Sequence, residues 1–183
     1  MIISEYRNNL NLKKKDKIVN SLTKISNLCK NNNLDICIAL VSSREEKMKK
    51  ISFEEEIQFY KKNGINFNYS LEPSYKLANR SKIIFSIDSN LGYELIAKKH
   101  KVFFFHSKNN IYLKKYPFVT NVLNRSFDKL FLRLINLNTS QYSKILKSSK
   151  IKFYFDKKNK ILKNHIEKII LKNNNENCSN SSD

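Results

Sequence analysis

Glycine is scarce in this chain of 183 residues, which has only Gly64 and Gly92. The phosphate-binding loops of nucleoside triphosphatases and of dinucleotide-binding dehydrogenases need several glycines at fixed spacing, and the nucleophile elbow of α/β-hydrolases needs glycines on both sides of a serine. None of these motifs is present. The sequence therefore argues against a nucleoside triphosphatase and against a dehydrogenase.

Cysteines, histidine clusters and long apolar runs are limited as well. Cys29, Cys37 and Cys178 have no C-x-x-C spacing, so we expect neither a disulfide framework nor a zinc site, and the default compartment is a reducing one. No apolar run approaches the ~20 residues of a membrane-spanning helix, and the first residues lack the apolar segment of a signal peptide. We therefore expect a cytoplasmic protein without a metal or a cofactor.

Acidic residues are few, with 16 against 35 basic residues and a formal net charge of +19. Such a charge would ordinarily indicate nucleic acid or an anionic membrane as the partner. However, 30 of the basic residues are lysine and 5 are arginine, and arginine is the better ligand for phosphates and guanine edges. The abundance of lysine, asparagine and isoleucine is typical of a biased genomic base composition. We expect at most peripheral association with the inner membrane face, and no nucleic-acid binding.

Strand patterns alternate with helix patterns along the chain. The predicted strands are residues 35–41, 65–69, 82–85 and 101–105, and the predicted helices are residues 13–30, 52–62, 73–78, 89–100, 127–135, 140–147 and 156–172. Asn31 to Asn33 and Gly64 are predicted helix ends, residues 106–120 a loop, and Tyr75 an inward-facing side chain together with Leu77 or Ala78. The fold class predicted is α/β, a three-layer Rossmann-like domain with a mainly parallel sheet and right-handed crossovers.

The most informative stretch is Ser86-Ile-Asp-Ser-Asn-Leu-Gly-Tyr-Glu94, which joins an apolar strand to a helix. In open α/β sheets, ligands lie beyond the carboxyl ends of strands, where helix N-termini present free backbone N–H groups. Ser89 is the predicted N-cap, Gly92 permits a close approach, and Glu94 can accept hydrogen bonds from hydroxyls. An anionic, hydroxyl-rich ligand such as a nucleotide sugar fits this set. A capped strand-helix-strand unit without a ligand is the alternative.

Two further side chains follow predicted strands. Arg44 follows the strand at residues 35–41 and could reach a phosphate, although a solvated surface arginine is the alternative. His106 directly follows the strand at residues 101–105, where α/β domains place ligand contacts. We interpret the run Glu54 to Glu56 as a helix N-terminal turn that responds to the helix dipole, and not as a catalytic pair. The sequence assigns no catalytic residue.

Residues 75–105 resemble a family of bacterial proteins of surface-carbohydrate (lipopolysaccharide or capsule) biosynthesis with a glycosyltransferase-B-like fold. The family pattern is a Tyr-x-Leu-Leu helix, a strand, Asp-Ser-Thr-Leu-Gly-Tyr-Glu-Ala-Leu, a turn and a Val-x-Phe-Phe strand. This chain has Asn90 in place of the threonine, and Lys98-Lys-His100 where the family has a glycine in the turn. Weaker similarity extends over residues 34–171, including Phe155-Asp-Lys-Lys-Asn159.

The resemblance implies that this chain corresponds to the C-terminal, nucleotide-binding half of the two-domain fold. Asp88, Ser89 and Asn90 would then bind the diphosphate, and Glu94 a ribose or sugar hydroxyl. We expect residues 1–33 to be an N-terminal helical segment, 34–172 the nucleotide-sugar-binding domain and 173–183 a disordered tail. The acceptor-binding half would be lost by truncation or supplied by a separate chain.

Three other functions stay open at this point. A sugar-nucleotide 2-epimerase shares the fold and a similar serine-bearing loop. The chain could also be a noncatalytic binding half, or a basic nucleic-acid module whose binding would depend steeply on salt. If the chain is instead the nucleotide-binding half of a glycosyltransferase, the isolated chain would bind a nucleotide sugar without transferring it.

Overall fold

The computed structural model describes residues 1–4, 6, 12–40, 53–65, 67–70, 72–87, 89–105, 113 and 115–149. All of them belong to one compact unit, Met1–Ile151. A second unit, Lys152–Asp183, lies outside the described residues, and so do the predicted helix at 156–172 and the predicted tail.

The described strands form a single parallel sheet. They are β1 (Ile2–Ile3), β2 (Cys37–Ala39), β3 (Asn68–Ser70), β4 (Ile84–Ser86), β5 (Val102–Phe105) and β6 (Val119–Thr120). The strand order is β3-β2-β1-β4-β5-β6, and each neighbouring pair runs parallel. This is the order of the doubly wound dinucleotide-binding fold, and it confirms the predicted Rossmann-like class.

Helices cover both faces of the sheet. The described helices are α1 (Leu12–Asn31), α2 (Phe53–Lys62), α3 (Ser74–Asn79), α4 (Asn90–Ala97), α5 (Phe127–Asn136) and α6 (Thr139–Ser148). Helix α4 packs on β4 and β5. On the other face, the ring of Phe131 in α5 stacks on Phe85 in β4 at 5.9 Å. Successive side chains of a strand point to opposite faces, so one short strand contacts both helix layers.

The periodic stripe of α1 was predicted correctly. Ile18, Leu22, Ile25 and Cys29 are all buried, with Ile25 fully so. Burial of Cys29 raises the pKa of its thiol to about 11, so this cysteine is an uncharged core residue. No described helix is both long enough and apolar enough to cross a bilayer.

The central strand β1 was not predicted. The sequence pattern placed the first strand at residue 35, yet Ile2 pairs with Ile38 on one side and with Phe85 on the other. Residues 1–33 therefore contribute a strand of the sheet as well as a helix. A two-residue strand that is buried on both faces has no alternation and no length from which it could be recognised. Strand β6 lies within the predicted loop, because its two residues are likewise too few to show a strand pattern.

Three helices end at a residue with positive φ. Asn33 (53°), Gly64 (71°) and Lys99 (66°) follow α1, α2 and α4. In each case the next residue donates its N–H back into the last turn, as His100 N–H does to the Leu95 carbonyl at 2.9 Å. The predicted helix ends at Asn33 and Gly64 are confirmed, and Lys99 occupies a position that favours glycine.

Tyr75 does not face the interior as predicted. Leu77 and Ala78 of α3 are buried, but Tyr75 is 39% exposed. The Lys98 ammonium lies 3.8 Å from the centroid of the Tyr75 ring. A cation over the ring face stabilises an aromatic side chain at the surface, so this tyrosine does not have to be buried.

Candidate functional site

The candidate site lies where β1 and β4 run side by side. From β1 the chain proceeds towards β2 and β3, whereas from β4 it proceeds towards β5 and β6, so the connections diverge from this point. In open parallel sheets, the carboxyl ends of such a strand pair border a crevice in which ligands bind. Ser4 directly follows β1 and Ser86 ends β4. The two serines therefore stand on neighbouring strands, which are spaced about 4.8 Å apart.

Ser86 shapes the loop between β4 and α4. Its side chain is fully buried, and its Oγ accepts the Ser89 backbone N–H at 3.2 Å. The Ser89 Oγ in turn accepts the Leu91 N–H at 3.3 Å, which makes Ser89 the N-cap of α4 as predicted. Asn90, the first residue of the helix, is exposed. The structure thus brings Ser86, Ser89 and Asn90 together at one helix N-terminus.

Gly92 allows α4 to lie close to the sheet. A β-carbon at position 92 would stand 2.7 Å from the Ser86 Oγ and 3.0 Å from the Cε1 of Phe104. The close approach that this glycine permits is therefore to the protein's own strands β4 and β5. The neighbouring Tyr93 ring stacks on Phe104 at 5.1 Å and helps to fix the helix in this position.

Glu94 is half-buried on α4, four residues after Asn90. Side chains at this spacing lie on the same face of a helix. Among the described residues, the Glu94 carboxylate has neither a hydrogen bond nor an ion pair. It can therefore accept hydrogen bonds from a ligand that lies across the start of the helix.

Arg44, Asp88 and His106 lie outside the described residues. Their contributions to the site stay predictions from the sequence. The nearest described residue before Arg44 is Leu40, and the one before His106 is Phe105. Asp88 stands between the described residues Ile87 and Ser89.

A buried polar cluster, which the sequence analysis missed, lies at the carboxyl end of β1. The Ser4 hydroxyl donates to the Glu56 carboxylate, and its oxygen lies 2.9 Å from the Tyr60 hydroxyl. Ser4 Oγ also accepts the Tyr6 backbone N–H at 3.2 Å. Glu56 is fully buried and Tyr60 nearly so. Glu56 and Tyr60 are four residues apart on α2, and this spacing was the one sequence signal that they share a face.

The electrostatics beside this cluster keep the Tyr6 phenol protonated. Burial raises the pKa of Tyr6, and the nearby Glu55 and Glu56 carboxylates raise it further. A phenol with a raised pKa is a hydrogen-bond donor throughout the physiological range. Glu56 lies in the first turn of α2, where the helix dipole stabilises negative charge.

Two adjoining cavities, of about 550 and 650 Å³, open elsewhere. Leu34 to Ile36 and Asn68, which lie at or before the amino ends of β2 and β3, line both of them. The larger one also reaches Met1 and Ile83. In parallel sheets, helix N-termini point towards the carboxyl ends of the strands, so the amino ends of β2 and β3 in these cavities lie away from the helix N-termini that favour anionic ligands.

A comparison with protein families decides the biological context. Residues 11–170 match the model of a family described as "putative O-antigen biosynthesis protein". The chain belongs to this O-antigen biosynthesis family. The match includes the β4–α4 loop, α2 and the polar residues of both. Searches of curated proteins and of solved structures found no match.

Proposed function

We propose that this O-antigen biosynthesis protein is the donor-binding half of a glycosyltransferase-like enzyme, and that it binds a nucleoside diphosphate sugar at the β1–β4 crevice. The observation that carries the proposal is the capped N-terminus of α4, built by Ser86 and Ser89 at the point where the sheet connections diverge. An O-antigen is a polysaccharide, and its assembly consumes activated sugars. The chemistry of such donors, a diphosphate joined to hydroxyl-rich rings, matches the groups at this helix.

The diphosphate would lie against the start of α4. The Asn90 backbone N–H and the positive end of the helix dipole favour a negative charge there. The family resemblance implies that Asp88, Ser89 and Asn90 contact the diphosphate, and Arg44 and His106, which follow β2 and β5 in the chain, are further candidate contacts. Glu94 accepts hydrogen bonds from ribose or sugar hydroxyls. These groups would also stabilise the departing diphosphate during transfer, and that role requires no metal.

Transfer of the sugar would require a second domain. In the glycosyltransferase-B arrangement, the reaction takes place between two Rossmann-like domains, and holding donor and acceptor together is a large part of the catalysis. We therefore propose that a partner domain, on this chain or on a separate one, completes the active site. Steady turnover of the donor by the purified 183-residue chain alone would contradict this part of the proposal.

Isothermal titration calorimetry with uridine, cytidine and guanosine diphosphate sugars tests donor binding. At least one donor is expected to bind, and Ser89→Ala is expected to weaken that binding. Asn138→Ala is the matched control, because Asn138 caps α6 in the same way. The residue before it, Leu137, accepts a hydrogen bond from Lys101 at the amino end of β5. Asn138 therefore lies at the amino ends of the strands, and the candidate site lies at their carboxyl ends. The control should lower the melting temperature and leave donor affinity unchanged.

Two results would count against the proposal. The first is the absence of heat or of a thermal shift with every donor at millimolar concentration. The second is a Ser89→Ala protein that binds the donor as tightly as the parent protein, because the capped helix start would then lie outside the binding site.

A further inference from the structure

We propose that buried Glu56 is a positioning residue for the donor site, acting through Ser4 on the side of the crevice formed by β1. This inference rests on the proposed function. Glu56 is fully buried and so does not touch the donor itself. Its effect passes through the Ser4 hydroxyl to the backbone at Tyr6, where the chain leaves the central strand.

The hydrogen bonds of Ser4 have a defined direction. A serine hydroxyl has one proton and two acceptor lone pairs. Because Ser4 donates its only proton to Glu56, the Tyr60 hydroxyl must donate to Ser4 Oγ at 2.9 Å, as the Tyr6 N–H does at 3.2 Å. Ser4 Oγ thus makes all three of its hydrogen bonds. The carboxylate fixes where the hydroxyl points, and the hydroxyl fixes the Tyr6 N–H.

In the described part of the sheet, a serine hydroxyl accepts a backbone N–H from two or three residues further along at the end of three strands, and one of these hydroxyls, that of Ser4, bonds to a carboxylate. Ser70 Oγ accepts the Glu72 N–H at 3.2 Å, and Ser86 Oγ accepts the Ser89 N–H at 3.2 Å. Among the described residues, no acidic side chain bonds to either of these two hydroxyls. The carboxylate is therefore not needed to make such a turn, and its presence at Ser4 calls for a separate reason.

Burial of that carboxylate is costly. Removing a charge from water carries a large desolvation penalty, and apolar residues of similar volume often stabilise a protein at least as well. Glu56 nevertheless lies at the carboxyl end of β1, the strand that borders the crevice with β4. The Tyr6 ring, 5.1 Å from Phe59 of α2, anchors the chain immediately beyond Ser4. A rigid exit from β1 opposite the start of α4 would define the width of the crevice.

The experiment combines two measurements on the full chain. Calorimetry gives the affinity for the donor that the parent protein binds, and NMR hydrogen exchange gives the protection of the Tyr6 amide. Ser4→Ala and Glu56→Leu each interrupt the path from Glu56 to Tyr6. Glu56→Gln keeps an acceptor oxygen for Ser4. Glu54→Gln is the matched control, because Glu54 lies in the same helical turn but is exposed.

Ser4→Ala and Glu56→Leu should weaken donor binding about tenfold, as expected for the loss of one buried hydrogen-bond path, and should speed exchange of the Tyr6 amide. Glu56→Gln should retain most of the affinity and protection, and Glu54→Gln should match the parent protein. Affinities are measured well below the melting temperature of each variant. If Glu56→Leu does not fold, Ser4→Ala carries the test alone, since it removes the hydroxyl that links Glu56 to the Tyr6 N–H.

The outcomes separate this inference from the proposed function. A Ser4→Ala protein that melts at lower temperature but binds the donor like the parent would show that the cluster only stabilises the fold, and would overturn the inference alone. A parent protein that binds no donor would overturn both. Loss of affinity in Glu54→Gln equal to that in Glu56→Leu would show a general charge effect, and would also overturn the inference.

Discussion

Gly92 of α4 lies so close to Ser86 of β4 that a β-carbon on the glycine would stand 2.7 Å from the serine Oγ. The same serine oxygen accepts the Ser89 N–H that opens the helix. One buried hydroxyl therefore sets both the distance between helix and sheet and the shape of the candidate binding loop. Stability and ligand binding are coupled at this position.

Gly92→Ala should lower the free energy of unfolding by about 1–2 kcal/mol, because the overpacking cost exceeds the gain in helix propensity. Chemical denaturation measures the loss. The double variant Gly92→Ala/Ser86→Ala should recover part of it, since the nearest clashing atom is removed. Gly64→Ala is the contrasting control, because position 64 has open space around it but a φ of +71°. The stability that Gly64→Ala loses should simply add to the stability that Ser86→Ala loses. If the stability losses of Gly92→Ala and Ser86→Ala also add without any recovery, the close contact between position 92 and Ser86 is contradicted.

Lys99→Gly should stabilise the protein by about 0.5–1 kcal/mol. Lys99 has φ of +66° at the end of α4, where glycine avoids the strain of a β-carbon but loses more chain entropy on folding. Lys98→Gly should have the opposite effect, because Lys98 has φ of −81° and contacts the Tyr75 ring. Urea denaturation of both variants checks the signs. A less stable Lys99→Gly protein would contradict the proposed strain.

Glu94→Gln should weaken donor binding by roughly 1.5–3 kcal/mol, as for a lost hydrogen bond to a charged group, with little change in melting temperature. Calorimetry and thermal melts separate the two effects. Glu72→Gln is the control, because Glu72 is paired with Arg80 at 2.7 Å away from α4 and its loss should not alter binding. Equal donor affinity in Glu94→Gln and the parent would make Glu94 a structural residue.

His100 should make the protein less stable in mild acid. Burial lowers the pKa of His100 below its usual 6.5, and the Lys98 ammonium lowers it further. As the pH falls through 6.5, the unfolded chain binds the proton first, so stability decreases until the lowered folded pKa is passed. His100→Gln removes this contribution. The melting temperature of the parent minus that of the variant should therefore fall between about pH 7.5 and about pH 5. A constant difference would refute the shift.

The sequence predicted the parts of the fold that depend on local pattern. The stripe of α1 and the cap at Ser89 follow from residue spacing and side-chain chemistry within a few positions, and both are confirmed. Strand β1 could not be recognised, because Ile2 and Ile3 are buried by strands that lie far along the chain. The prediction for Tyr75 is wrong for a related reason. Its cation partner, Lys98, is the C-cap of α4 and lies 23 positions further along the chain, so local pattern does not reveal the contact.

The candidate site likewise has one part that could be predicted from the sequence and one part that could not. Ser86, Ser89 and Asn90 come together because they are neighbours in sequence. Glu56 was interpreted as part of a helix N-terminal turn, and only its spacing of four residues from Tyr60 distinguishes it from Glu54. Its burial is decided by Ser4, 52 positions away. A contact of that range becomes visible only when the sheet order is known.

The two residues of β1 also determine when the crevice can exist during folding. In the described sheet they join β2 and β3 on one side to β4, β5 and β6 on the other. The unit from β4 through α4 to β5 has only short connections and can assemble early, whereas pairing of Ile2 with Phe85 closes a loop of about 80 residues. The crevice between β1 and β4 therefore forms with this late, long-range step. A donor that binds there would recognise only chains that have completed the sheet, and would shift the folding equilibrium towards them by mass action.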